Sequence, residues 1–269
     1  MPDPHPRPIP ERSDIGPDGL VDEILHAGQP VVLRGLVRDW PLVQAGRDSA
    51  DSAVSYLRGF ERRDAPPVVA TVGPPEIGGR FFYNDDLSGF NLRQEQVPLG
   101  VALQTLLKYA GESDVPAIYI GSTTIDTWLP GFRDRNDLAM DGRGALASIW
   151  IGNRTRIAAH QDVPDNLACV AVGRRRVTLF PPDQLDNLYI GPLDYTPAGQ
   201  PISLVDFHAP DPVRFPRFAK ALEHAFVAEL GPGDAVLIPS MWWHHMEALE
   251  PFNVLVNYWW RQTPAWMDT

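Results

Sequence analysis

His160-Gln-Asp-Val-Pro-Asp-Asn-Leu-Ala-Cys-Val-Ala-Val-Gly-Arg-Arg-Arg-Val-Thr-Leu-Phe180 holds two short apolar runs, Asn166 to Val172 and Arg176 to Phe180, separated at Gly173. Each run has the length and β-branched content of a strand, and a glycine between two such runs reads as a hairpin turn. The same texture continues on both sides. Strands are predicted over Ser148 to Gly152, Pro201 to Val205, Ala225 to Leu230, Ala235 to Ile238, His244 to Leu249 and Asn253 to Trp260. Turn sequences such as Pro181-Pro-Asp183 and Gly231-Pro-Gly-Asp234 fall between them, and a helix over Phe215 to Ala225 interrupts the series. Many short strands with tight turns imply a mainly β sandwich or barrel, and the jelly roll is one such solution.

Upstream the pattern is mixed. Residues 1–17 carry prolines at positions 2, 4, 6, 8, 10 and 17, which predicts an extended, poorly packed, flexible arm. A short helical pattern around Val21, Ile24 and Leu25 ends near Gly28, and Pro30 to Gly35 reads as a strand followed by a turn at Trp40-Pro41. Helices are predicted over Ala50 to Phe60 and Leu99 to Ala110, and strands over Pro67 to Val72 and Ile118 to Gly121. These α/β elements flank a β core expected at about 146–262, within one domain spanning 18–269.

The chemistry concentrates at His160-x-Asp162 and at Trp242-Trp-His-His245. On extended backbone, side chains at i and i+2 share a face, so His160 and Asp162 can reach one ion. A third ligand then comes from elsewhere in the chain. His244 shares parity with Met246 and His245 with Glu247, which favours His244 as the inward ligand and His245 packed or hydrogen-bonded behind it. Two imidazoles and one carboxylate on one face of an octahedral metal leave three positions open, the arrangement of non-haem Fe(II) oxygenases. Such an enzyme using 2-oxoglutarate needs a buried cation for the distal carboxylate. In Arg174-Arg-Arg176, position 175 shares parity with Val177 and Leu179, so Arg175 is the candidate. Asn166 keeps the parity of Asp162, and Asn257 lies within an apolar strand where an amide needs a partner; each reads equally as ligand contact or as structural hydrogen bonding. Trp242, Trp243, Trp259 and Trp260 read mainly as core.

Composition bounds the alternatives. With 269 residues, 44% of them hydrophobic, the chain can bury a large core. A net charge of -11 disfavours a general phosphate-binding surface and so a nucleic-acid partner. One cysteine, Cys169, excludes an intramolecular disulfide and points to a reducing compartment, as do the missing secretion signal and membrane span, so a cytoplasmic location is expected.

His160-Gln-Asp-Val-Pro-Asp-Asn166, Gly173-Arg-Arg-Arg-Val-Thr-Leu-Phe-Pro-Pro182, Leu188-Tyr-Ile-Gly-Pro192, Gly231-Pro-Gly-Asp-Ala-Val-Leu-Ile-Pro239 and Trp242-Trp-His-His245 closely resemble the cupin-like branch of the JmjC family, which includes the asparaginyl hydroxylase that inhibits hypoxia-inducible factor. The likeness runs from about Ile24 to Trp260, and Pro30-Val-Val-Leu-Arg-Gly-Leu-Val-Arg-Asp-Trp-Pro41 matches the family's N-terminal signature. It implies a double-stranded β-helix with Fe(II), 2-oxoglutarate and O2 as the reacting set. Through it His160, Asp162 and His244 are expected as metal ligands and catalytic residues, with Tyr119, Asn166, Arg175 and Asn257 contacting the co-substrate. Arg175 replaces the lysine of that hydroxylase, and Ile157 replaces a co-substrate-binding threonine. The chain stops soon after Trp260, without the helical extension through which that relative dimerises, so that dimer is not carried over. Expected substrates are a protein side chain or a small molecule. The competing readings are a metal-binding cupin without oxygenase activity, a non-catalytic interaction domain and an RNA-directed hydroxylase.

Overall fold

A computed structural model describes residues 5–261. In chain order the strands are β1 (Arg7–Pro8), β2 (Glu11–Arg12), β3 (Val31–Leu33), β4 (Val68–Gly73), β5 (Arg80–Phe81), β6 (Arg93–Val97), β7 (Ala117–Thr124), β8 (Leu146–Gly152), β9 (Arg156–His160), β10 (Asp165–Val172), β11 (Arg175–Phe180), β12 (Phe226–Leu230), β13 (Ala235–Ile238), β14 (Trp243–Ala248) and β15 (Asn253–Trp260). The helices are α1 (Asp22–Leu25), α2 (Pro41–Asp48), α3 (Ala50–Arg58), α4 (Leu99–Ala110), α5 (Ile125–Trp128) and α6 (Phe218–His224). The strands form two sheets, ordered β1-β12-β11-β14-β9-β5 and β2-β3-β13-β10-β15-β8-β7-β4-β6. This is the mainly β cupin fold expected from the strand pattern.

Alternation along each strand sorts the side chains into layers. On β10, Leu167, Cys169 and Ala171 pack with Leu42, Val43, Leu57 and Leu103 of the helical layer, whereas Ala168 and Val170 face Val177 and Leu179 of the opposite sheet. Every residue of β10 is buried, and from Leu167 onward the strand reads as a continuous apolar run. The inter-sheet core of Ile9, Val32, Val170, Val177, Leu230 and Trp242 fills one end of the sandwich, and the functional residues occupy the remaining space. Behind the six-stranded sheet, Trp243 and Phe180 pack against Phe215 and Phe218 beside α6. At the β10–β11 hairpin Gly173 adopts φ of 77°, and a Cβ there would lie 2.3 Å from Asn253 Oδ1. Only glycine fits, and the tight turn places Arg175 at the first position of β11.

Several expectations need correction. Residues 7–12 of the Pro-rich arm are not loosely draped: Arg7 N donates to Ala225 O at 2.8 Å, Val32 N donates to Pro10 O at 2.8 Å, and Ile9 is buried between the sheets. The arm adds one short parallel strand to each sheet, and its alternating prolines leave a free donor at every second residue. Residues 1–4 and 262–269 of the expected arm and domain lie outside the described residues. Pro41 opens α2 rather than only marking a turn, because the missing N–H costs nothing at the first helical position. Pro201 to Val205 contributes only a bridge, Ile190 to Ser203. β4 and β7, expected to flank the β core, extend the main sheet, with β6 at its edge; neither β6 nor β9 was read from the sequence.

Candidate metal centre and co-substrate pocket

His160 ends β9 and pairs with His244 on the adjacent β14. Asp162 lies two residues beyond the strand end, where the chain crosses to the other sheet, and Met241 N donates to its carbonyl at 2.9 Å. One ligand atom from each of His160, Asp162 and His244 lies within 4.8 Å of the others. The imidazoles lie with centroids 4.2 Å apart, their planes tilted by 54°, and His244 Nε2 is 3.6 Å from Asp162 Oδ2.

Hydrogen bonding fixes how the two rings present themselves. His160 Nδ1 lies 2.9 Å from Ala158 O and His244 Nδ1 lies 3.1 Å from Trp242 O. A carbonyl can only accept, so each Nδ1 carries the proton and each Nε2 offers a lone pair toward the shared space. Burial, then repulsion from His160, holds the His244 pKa well below its ordinary value, keeping the ring neutral. Burial raises the Asp162 pKa, opposed by His160 and by a 3.2 Å hydrogen bond from Gln200 Nε2 to Oδ1. Two imidazole nitrogens turned to one point beside a buried carboxylate suit a divalent cation, whose charge the carboxylate offsets.

His245 turns to the opposite face of the sheet, its ring 4.7 Å from Phe207 and its Nε2 3.8 Å from Glu247 Oε1. Glu247 also receives His208, and Arg176 at 3.5 Å from Oε2. Burial raises this carboxyl, but the surrounding imidazoles outweigh it and hold the pKa at about 2.

Facing the metal ligands, a cavity of about 380 Å³ lies between the sheets. Arg175, Tyr119, Asn166 and Asn257 all line it, with Ile157 and Met246 between the ligands and Arg175. Arg175 is 3% exposed, its Nε lacks a partner, and it has no ion pair among the described residues. Burial lowers its pKa, opposed by Tyr119. An unpaired guanidinium in such a place is costly unless an anion joins it. Tyr119 and Trp150 lie with ring centroids 5.7 Å apart. At Gly121 a Cβ would come within 2.8 Å of the Trp150 ring, so the glycine admits the indole to the wall.

Trp150 also sets a relay that sequence reading missed. Its indole N–H donates to Asn257 Oδ1 at 2.6 Å, and Asn257 Nδ2 donates to Asn166 Oδ1 at 3.3 Å. Because an indole can only donate, both amide orientations are fixed, and Asn166 turns its own NH2 group toward the cavity. Asn166 reaches this position from the opposite sheet, not along continuous extended backbone from Asp162, since β9 ends at His160 and β10 begins at Asp165. Trp242, Trp243 and Trp260 are core, but Trp259 lines the cavity beside Trp150. The wall also includes Thr71, Phe81, Gln94 and Gln200. Phe81 and Gln94 lie on edge strands, Thr71 on β4 and Gln200 on a loop, and none of these stretches carries a motif.

Comparison with known proteins gives the same context. A family model described as a cupin-like domain matches residues 17–265. HSPB1-associated protein 1 of Rattus norvegicus is 35% identical over 255 residues, covering 90% of this chain and 51% of that protein. Lysine-specific demethylase JMJ31 of Arabidopsis thaliana is 33% identical over 150 residues, covering 54% and 26%. tRNA wybutosine-synthesizing protein 5 of Danio rerio is 36% identical over 106 residues, covering 39% and 29%. The chain thus spans about half, or less, of these relatives.

Proposed function

Since the chain belongs to the cupin-like domain family of JmjC type, we propose that it is an Fe(II)- and 2-oxoglutarate-dependent dioxygenase that hydroxylates a protein side chain or a small molecule. The observation that carries this reading is the buried, unpaired Arg175 in the same cavity as the His160, Asp162 and His244 cluster. A metal centre alone does not require that cation. A dicarboxylic co-substrate does.

In this account His160 Nε2, His244 Nε2 and one oxygen of Asp162 hold iron, consistent with the set that leaves three coordination positions open. Iron, when bound with 2-oxoglutarate and O2, supplies the oxidation: one oxygen atom goes to the keto acid, giving succinate and CO2, and the other into a substrate C–H bond. The remaining work belongs to the chain. Arg175 receives the distal carboxylate of 2-oxoglutarate through a charge-assisted hydrogen bond. Tyr119, whose hydroxyl stays protonated because burial raises its pKa, donates a second bond there. Asn166, oriented by Trp150 through Asn257, offers its NH2 group to the metal end of the cavity. Phe81, Ile157, Leu255 and Trp259 exclude water around these groups.

Beyond the ligand cluster, Arg175 is the charged residue of the lining, so an uncharged substrate group suits the space that remains. One relative's name specifies lysine demethylation and another's tRNA wybutosine synthesis; the net charge of -11 favours a protein or small molecule over tRNA here. The test is turnover of 2-oxoglutarate to succinate by Fe(II)-loaded protein without primary substrate. Slow succinate formation that vanishes in His160→Ala supports the proposal. Metal binding with no affinity for 2-oxoglutarate would leave a cupin without oxygenase chemistry.

A further inference from the structure

The segment 191–202 forms one wall of the cavity mouth, with Pro197, Ala198, Gln200 and Ile202 on its lining. Its base is tied down by Gly191 N to Ile202 O at 2.9 Å, and next to it by Ser203 N to Ala159 O at 2.8 Å. Its tip is clamped by aromatics: Tyr83 Oη donates to Tyr195 O at 2.6 Å, and the Tyr195 ring stacks on Phe90 with centroids 4.7 Å apart. From this clamped loop Gln200 reaches in and donates from Nε2 to Asp162 Oδ1 at 3.2 Å. The second carboxylate oxygen, Oδ2, is the one facing His244.

We propose that Gln200 is a positioning residue that occupies Oδ1 of Asp162, so that Oδ2 alone binds the metal, and that the clamped mouth loop thereby sets the coordination number of the centre. The inference rests on the metal site proposed above. Counting positions shows why it matters. Six positions minus two imidazole nitrogens and one oxygen leave three, enough for a chelating keto acid and O2. A carboxylate binding through both oxygens leaves two, which the keto acid alone fills. A free carboxylate can bind either way, and the Gln200 amide removes the choice. Because its donor belongs to the mouth wall, whatever shifts that wall also reaches Asp162.

Co(II) serves as the probe, titrated into the full chain and followed by visible absorption, with melting of the metal-free protein as a control. Gln200→Met keeps length and bulk but has no donor. It is expected to weaken Co(II) binding about tenfold or more, and to change the absorption bands through the altered carboxylate mode, while the metal-free protein melts as wild type. Tyr195→Ala, remote from the ligands, is expected to shift affinity in the same direction by less. Wild-type Co(II) affinity and spectrum in Gln200→Met, alongside lost binding in His160→Ala, would overturn the role of Gln200 while leaving the metal site standing. Co(II) binding undiminished in His160→Ala would overturn both.

Discussion

His244 and His245 are identical side chains on consecutive residues, and the pleat sends them to opposite faces of β14. This separation was legible in the sequence because Met246 and Glu247 repeat it, one toward the cavity and one away. His244→Ala is therefore expected to abolish metal binding with a small effect on the metal-free fold. His245→Ala is expected to retain the metal but destabilise the fold by roughly 1–3 kcal/mol, since it strips the buried Glu247 of a neighbour; metal titration and chemical denaturation separate the two. Arg175 was legible by the same parity. Arg175→Met is expected to weaken 2-oxoglutarate binding about 10- to 100-fold, with metal affinity unchanged and the ligand-free protein as stable as wild type or more so, because it removes a buried unpaired charge. Calorimetry with the metal-loaded protein reads the first effect and urea unfolding the second. Gln200 and Trp150 were not legible. A loop glutamine carries no periodicity, and the orienting role of Trp150 exists only once β8 and β15 are paired.

At the scale of elements, the strands of the sheet interior were readable because both their faces are buried and turn sequences bound them. α4 was readable because Leu99, Ala102, Leu103 and Leu106 repeat with helical spacing. β9 was not, since Arg156-Ile-Ala-Ala-His160 has neither alternation nor a β-branched run and takes its conformation from pairing with β14. The N-terminal arm shows the opposite error. Its composition argued for disorder, yet alternate donors suffice to pair with two sheet edges, and Ile9 anchors it in the core. Deletion of residues 1–12 is expected to destabilise the protein by about 2–4 kcal/mol, from lost burial of Ile9 together with the uncovered edges of β12 and β3. Thermal unfolding would show it as a lower midpoint, whereas an unchanged midpoint would mean that the arm is not held.

For the whole molecule, the two sheets carry different duties: the nine-stranded sheet is backed by helices and presents Tyr119, Asn166 and Asn257, while the six-stranded sheet presents His160, His244 and Arg175. Their separation makes the site sensitive to global stability, and Glu247 links that stability to pH. Its carboxyl, held at about 2 against an ordinary 4.5, stabilises the folded state above pH 4.5, and this contribution fades as the pH falls toward 2. Glu247→Gln is expected to lose roughly 1–3 kcal/mol at pH 7, with the gap from wild type narrowing below pH 4.5. A constant gap across that range would show that the charge is not what matters. The central claim, one metal held by His160, Asp162 and His244 in register with a co-substrate held by Arg175, is tested most directly by anaerobic calorimetric titration of 2-oxoglutarate into the Fe(II)-loaded protein. The account predicts one molecule bound per chain, with binding lost when the metal is omitted and when His160 is replaced by alanine. No binding to the metal-loaded wild-type protein, or equal binding in His160→Ala, would contradict it.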